Sequence, residues 1–239
     1  MAEMFIPEKI RKRGSLRYFK TPSGSHVIVL PTCTVPLEHL VRENWYGGEN
    51  VGNFRQVKKI THVQNGALLK DSKGNPTELY VKSPEREFNI DSGSIHGIWR
   101  DILDVENFKS HVSLKGETRV EKQAVWEARI LLGLAQNGIN AEEPQAIVIY
   151  PGGNREVITK GKEGIAFAFP EQIKRLIRVA RSKGFTPDDL HSGNVISDED
   201  DNHSIIDVNR WTWPPFTNEY KKRLITAVGE EIKRQKREK

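Results

Sequence analysis

The feature that most constrains this chain is a six-residue loop, Asp189-Leu190-His191-Ser192-Gly193-Asn194, followed thirteen residues after its asparagine by Asp207 within Ile205-Ile206-Asp207-Val208. The loop sets a carboxylate and an amide five residues apart on one rim. An acidic turn (DEDDN) lies between two short stretches of strand-forming residues, Val195–Ser197 and Ser204–Val208, and folds the chain into a hairpin. That hairpin returns Asp207 to the same rim, held by its apolar neighbours. An asparagine and an aspartate are hard oxygen donors, suited to a Mg2+ ion that keeps several waters and takes its other ligands from phosphate. Asp189 is then left beside the metal, free to orient an attacking hydroxyl and accept its proton. His191 has no second His or Cys at a ligating spacing, so the expectation is that it braces the loop by hydrogen bonding and binds no zinc.

Upstream, the chain supplies a surrounding α+β scaffold. Residues 57–82 read as a three-strand meander with turns at Gln64-Asn65-Gly66 and Asp71–Pro76, and its last strand, Leu79-Tyr80-Val81, runs into Lys82. Residues 84–118 are rich in glycine, serine and charge and read as an irregular insertion. A helix is expected from about Val120 to Gln136, because Ala124, Val125, Ala128, Leu131, Leu132 and Ala135 recur at helical spacing and Asn137-Gly138 stops it. Strands are expected at Ala146–Tyr150 and Glu156–Thr159, and a second helix from Pro170 to about Ser182, with Gly184 as its stop. Trp211, Trp213 and the adjacent prolines read as a packed corner beneath a last helix that begins near Thr217. Residues 1–55 yield one clear strand, Val27–Leu30, and are expected to pack as an N-terminal extension on the remainder of the chain.

The loop and hairpin resemble the catalytic loop and metal-binding segment of the protein-kinase-like superfamily, whose loop also sets Asp and Asn five residues apart. The wording Leu-His-x-Gly-Asn is similar to that of aminoglycoside- and choline-type phosphotransferases and Kdo-type lipopolysaccharide kinases. The compact C-terminal half resembles RIO-type and Kdo-type kinases. The resemblance covers about residues 57–210. It implies a bilobal fold with an antiparallel N-lobe sheet at 56–162, carrying the insertion 84–118, and a reduced helical C-lobe at 163–239 ending in a basic helix. It further implies that ATP and Mg2+ are bound. Lys82 would hold the α- and β-phosphates, with Glu127 as its ion-pair partner, although Glu121 lies near the same helix face. Val63-Gln64-Asn65-Gly66 would cover the phosphates, with Gly66 the one glycine there. Thr159, Lys160 and Gly161, on to Lys162, would form the hinge whose backbone reads the adenine. Asn194 and Asp207 would hold the metal, and Asp189 would orient the acceptor.

The expected activity is therefore transfer of the γ-phosphate of ATP to a hydroxyl, on a protein serine or threonine or, alternatively, on a sugar or other small hydroxyl compound. A nucleotide-binding pseudokinase is a further alternative, motivated by the single glycine in the phosphate-covering loop. The net charge of +5 concentrates at the two ends, Lys9 to Lys20 and Lys221 to Arg237. Such clusters attract nucleic acid, but more often form solvated faces, so a nucleic-acid partner is not favoured. The first twenty residues carry charge where a secretory signal needs an apolar run, and no stretch reaches the ~18 apolar residues of a membrane span. With a single cysteine, Cys33, no disulfide framework is available within the chain. Together these point to a cytoplasmic protein.

Overall fold

Short strand-forming runs recur among the described residues up to Lys160, and they assemble into one antiparallel sheet. A computed structural model describes residues 4–13, 16–51, 56–83, 123–151, 155–187, 190–208 and 211. The eight strands are β1 (Arg11–Arg13), β2 (Leu16–Lys20), β3 (His26–Val29), β4 (Glu49–Asn50), β5 (Val57–Ile60), β6 (Leu79–Lys82), β7 (Glu143–Ile149) and β8 (Arg155–Lys160). Their order across the sheet is β1-β2-β3-β7-β8-β6-β5-β4. Three short strands, β9 (Ile165–Ala166), β10 (Val195–Ser197) and β11 (His203–Ile205), make a second sheet. Among the described residues, two α-helices, α1 (Gln123–Gln136) and α2 (Pro170–Ser182), complete a mixed α+β architecture dominated by the antiparallel sheet.

Because side chains alternate across a strand, the large sheet buries residues on both faces. One face gathers Leu16, Ile28, Ile147 and Val157 under Ala124, Val125, Ala128, Leu131 and Leu132 of α1. The other gathers Phe19, Val27, Val148, Ile158, Leu79 and Val81 under Val35, Leu40, Val41 and Leu69. The same alternation in β6 sends Lys82 and Tyr80 to the α1 face while Leu79 and Val81 pack on the opposite one. Helix α1 ends as its Asn137-Gly138 pair implies. Gly138 takes φ 69°, and the Ile139 N–H reaches back to the Leu134 carbonyl at 2.9 Å. Helix α2 starts at Pro170, with the Phe169 N–H donating to Gln172 Oε1 at 2.7 Å, and stops at Gly184 (φ 87°).

Two features differ from expectation. The described strands within residues 1–55 pair into the sheet itself. Strand β3 pairs with β7 along Val27↔Val148 and Val29↔Ala146, so β1–β3 belong to the main sheet. The meander at 57–82 keeps its outer strands, but its middle is reduced to isolated bridges at His62↔Leu68 and Lys70↔Pro76. The expected insertion 84–118, residues 120–122 of the first helix, Asp189, Trp213, the helix from Thr217 and the C-terminal basic cluster lie outside the described residues. Trp211 is fully buried against Phe185, edge to face, with ring centroids 6.5 Å apart. No helix among the described residues is long and apolar enough to cross a membrane.

His26, on β3, provides a pH-sensitive element in this scaffold. Its Nδ1 is buried with no hydrogen-bond partner among the described residues. Burial first, and the nearby Lys20 charge second, hold its pKa below the ordinary value of 6.5. The folded state therefore binds fewer protons than the unfolded one as pH falls through 6.5, so stability is lost on acidification and regained above it. Melting curves across this range are expected to show that slope in the wild type and a shallower one in His26→Gln. Equal slopes would mean that the imidazole is solvated.

Candidate functional site

The site begins where a parallel bridge joins the two sheets. After α1 the chain runs through Asn140–Glu142, and Ala141 pairs in parallel with Ile205 of β11. The Ile205 N–H donates to the Asn140 carbonyl, and the Glu142 N–H to the Ile205 carbonyl, both at 3.0 Å. This link lays the end of β11, and hence Asp207, beside the entrance to β7. On the other side of the β10–β11 hairpin, the Ile206 N–H donates to the Asn194 carbonyl at 2.9 Å. Asn194 and Asp207 therefore sit at adjacent ends of one hairpin, as the spacing in the sequence requires. His191 braces the approach to Asn194, its Nδ1 accepting the Gly193 N–H at 3.1 Å.

Lys82 and Glu127, 45 positions apart in the chain, meet in the interior. Lys82 Nζ donates to Glu127 Oε1 at 3.3 Å, with the two side chains 6% and 0% exposed. Helix α1 brings the glutamate there because Glu127 lies on its sheet-facing side, between Ala124 and Ala128 on one side and Leu131 on the other, all buried. Glu121, the other glutamate of that helix region, lies outside the described residues.

Sequence reasoning missed a second carboxylate at this point. Glu142, 5% exposed, also accepts from Lys82 Nζ through its Oε1. The same Oε1 takes the Asp207 backbone N–H at 3.0 Å, while Oε2 takes the Thr159 hydroxyl at 2.5 Å. Glu142 thus ties together β6, β8 and the turn after β11. Moving an ammonium and two carboxylates out of water costs several kcal/mol per ion, so a cluster of this kind persists only with close mutual contacts. Its one sequence signal was a charged residue just before the apolar run of β7, a position that ordinarily reads as a solvated strand end. Asp207 itself takes φ 55°, a left-handed conformation uncommon for a residue other than glycine and concentrated at functional sites.

The remaining candidates are placed differently from expectation. Gly66 lies in an exposed turn with φ 75°. The β5–β6 register pairs Val57 with Lys82 and Ile60 with Leu79, so residues 61–66 continue away from the lysine. The hairpin end nearer Lys82 is the β4–β5 connection, bounded by Val51 and Gln56. Thr159 and Lys160 belong to β8, an interior strand, and are paired with Tyr80 and Leu79 on one side and with Pro144 and Glu143 on the other. Their backbone is thereby committed to the sheet. The Gly161 N–H donates to the Glu78 carbonyl at 2.9 Å, so the chain leaves the ladder only after it. Lys160 Nζ pairs with Asp71 Oδ2 at 3.3 Å. Gly161 is small of necessity, since a Cβ there would lie 2.8 Å from the Tyr80 ring. Tyr80 shares the Lys82 face and donates its hydroxyl to Glu78 at 3.0 Å. Burial, and then the Glu78 charge, push the phenol pKa up and keep it protonated.

Chemically, the arrangement offers a buried ammonium under tight control, linked through Glu142 to Asp207, whose hairpin end adjoins that of Asn194. Among the described residues, no group of three or more His, Cys, Asp or Glu side chains is placed to hold a metal ion. One Asn and one Asp nevertheless form the sparse hard-donor set that suits Mg2+ when phosphate and water complete its shell.

Comparison with known proteins adds little. No family model matches the chain, and no curated protein is significantly similar to it. Among solved structures, the complex of Rv3197 with erythromycin from Mycobacterium tuberculosis is similar in fold at a TM-score of 0.37 and 18% identity. The match covers 73% of this chain and 48% of that one, so the chain spans about half the length of that protein. A likeness so weak says nothing of activity.

Proposed function

We propose that this protein is an ATP- and Mg2+-dependent kinase with a bilobal kinase-like fold, transferring the γ-phosphoryl group of ATP to a hydroxyl. The observation that carries the reading is the buried Lys82–Glu127 contact, formed between a sheet strand and a helix 45 positions apart and implied beforehand by the loop resemblance. The delivery of Asn194 and Asp207 to adjacent hairpin ends supports it, as does the left-handed backbone of Asp207. In this reading Lys82 holds the α- and β-phosphates and Glu127 fixes its ammonium. Asn194 and Asp207 hold Mg2+, which when bound neutralises the charge of the phosphates. Asp189 orients the acceptor hydroxyl and takes its proton as oxygen attacks the γ-phosphorus and ADP departs. The adenine is read by backbone beyond Gly161, because the backbone before it is held in the sheet. The acceptor we infer is a protein serine or threonine, with a small hydroxyl compound as the alternative to be separated by a substrate screen.

Calorimetric titration of ATP, with and without Mg2+, on the wild type and Asp207→Ala tests this. The expected result is binding that requires both the metal and Asp207. Binding indifferent to both would replace the enzyme with a nucleotide-binding module, and absence of binding would remove the kinase reading altogether.

A further inference from the structure

We propose that Glu142 is a positioning residue that competes with the nucleotide phosphates for the Lys82 ammonium. The inference rests on the kinase reading of the site. Lys82 is held by two buried carboxylates, Glu127 and Glu142, so an incoming polyphosphate approaches an ammonium whose charge is already matched. Glu142 keeps two other donors, the Thr159 hydroxyl and the Asp207 N–H, and its own backbone N–H is fixed to Ile205. When Lys82 swings to a phosphate, Glu142 therefore remains hydrogen-bonded. A buried carboxylate left without donors would make the same exchange costly. With those two donors retained, Glu142 can release the lysine to a phosphate, while in the kinase reading Glu127 stays with it. Since the Glu142 Oε1 that releases Lys82 also holds the Asp207 N–H, the exchange is linked to the residue that would hold the metal.

Removing the Glu142 charge should thus favour phosphate-bearing ligands, whereas removing its Thr159 anchor should leave Glu142 more dependent on Lys82 and disfavour them. The test measures affinities of the full chain for ATP and ADP with Mg2+, and for adenosine, in the wild type, Glu142→Gln and Thr159→Val, with circular dichroism to establish folding. The expected result is that Glu142→Gln binds ATP and ADP about tenfold more tightly, the size of one moderate buried coupling. Thr159→Val is expected to bind both several-fold more weakly, and neither substitution should change adenosine affinity. A merely structural role would move all three ligands together and in one direction for both variants. A folded Glu142→Gln that binds ATP no better than wild type overturns the inference while leaving the kinase reading in place. If Glu142→Gln does not fold, Thr159→Val decides alone, and unchanged or tighter ATP binding overturns it. A wild type that binds no ATP removes the kinase reading and this inference with it.

Discussion

Replacing Asp207 with asparagine is expected to lower the phosphotransfer rate by about a hundred- to a thousandfold, with the fold retained. Asparagine has the same shape and tolerates the left-handed φ of 55° better than most residues, so the turn after β11 has no reason to rearrange. The backbone N–H that Glu142 Oε1 accepts at 3.0 Å is untouched. What disappears is the formal negative charge that would hold the metal in the kinase reading, and losses of one preorganised electrostatic contact lie in the range stated. The measurement is single-turnover phosphate transfer at saturating ATP and Mg2+, alongside a melting curve. A variant that transfers phosphate at the wild-type rate would mean that Asp207 does not hold the metal. A rate loss accompanied by a collapsed melting transition would mean that the residue serves the fold instead.

The second large effect concerns stability. Lys82→Met keeps much of the side-chain volume and removes the ammonium shared by Glu127 and Glu142. Two carboxylates, 0% and 5% exposed, then lose the ammonium they share. Breaking a buried ion pair from one side costs about 3–5 kcal/mol, and chemical denaturation should register a loss of that order. Lys82→Met combined with Glu142→Gln should recover a substantial part of it, because one stranded charge is gone while Thr159 and Asp207 can still donate to the amide oxygen. A loss below ~1 kcal/mol for the single variant, typical of exposed pairs, would show that water reaches the lysine. The same single variant is expected to bind ATP poorly, but the denaturation experiment stands without any assumption about nucleotide.

The parts of the site legible in the sequence were those with local grammar. Asn194 and the return of Asp207 are encoded by a short loop and a hairpin, where turn formers and strand formers decide the geometry. Helix α1 was legible from its apolar spacing, and Gly138 and Gly184 from the left-handed caps they form. Glu127 came from the kinase resemblance and not from local pattern, with Glu121 left as the alternative near the same helix face. Glu142 was not legible, since nothing near it in the chain announces that Ala141 pairs with Ile205, and only that bridge turns a strand-end glutamate inward. Gly66 was misplaced because an Asn-Gly turn between two strand-like runs looks the same at either end of a strand. The register of β5 on β6 decides the matter, and register is a tertiary property. Strands β1 and β2 escaped notice because Arg11-Lys12-Arg13 and Leu16-Arg17-Tyr18-Phe19-Lys20 are charged and short, and β1 is an edge strand, where charge is common.

The pairing of β3 with β7 also governs how the chain reaches its native state. Thr34 and Gln145, which hydrogen-bond at 2.7 Å just beyond that pairing, are separated by 111 positions, and α1 and residues 84–122 lie between the strands they join. Closing so long a loop must precede any gain from the contacts it brings. During synthesis the hairpin of β2 and β3 has no inner neighbour until β7 has left the ribosome, and until then its Val27-Ile28-Val29 edge is an unpaired apolar strand. The same topology that buries Lys82 between sheet and helix makes the chain a slow folder whose early strands are open to pairing with another copy.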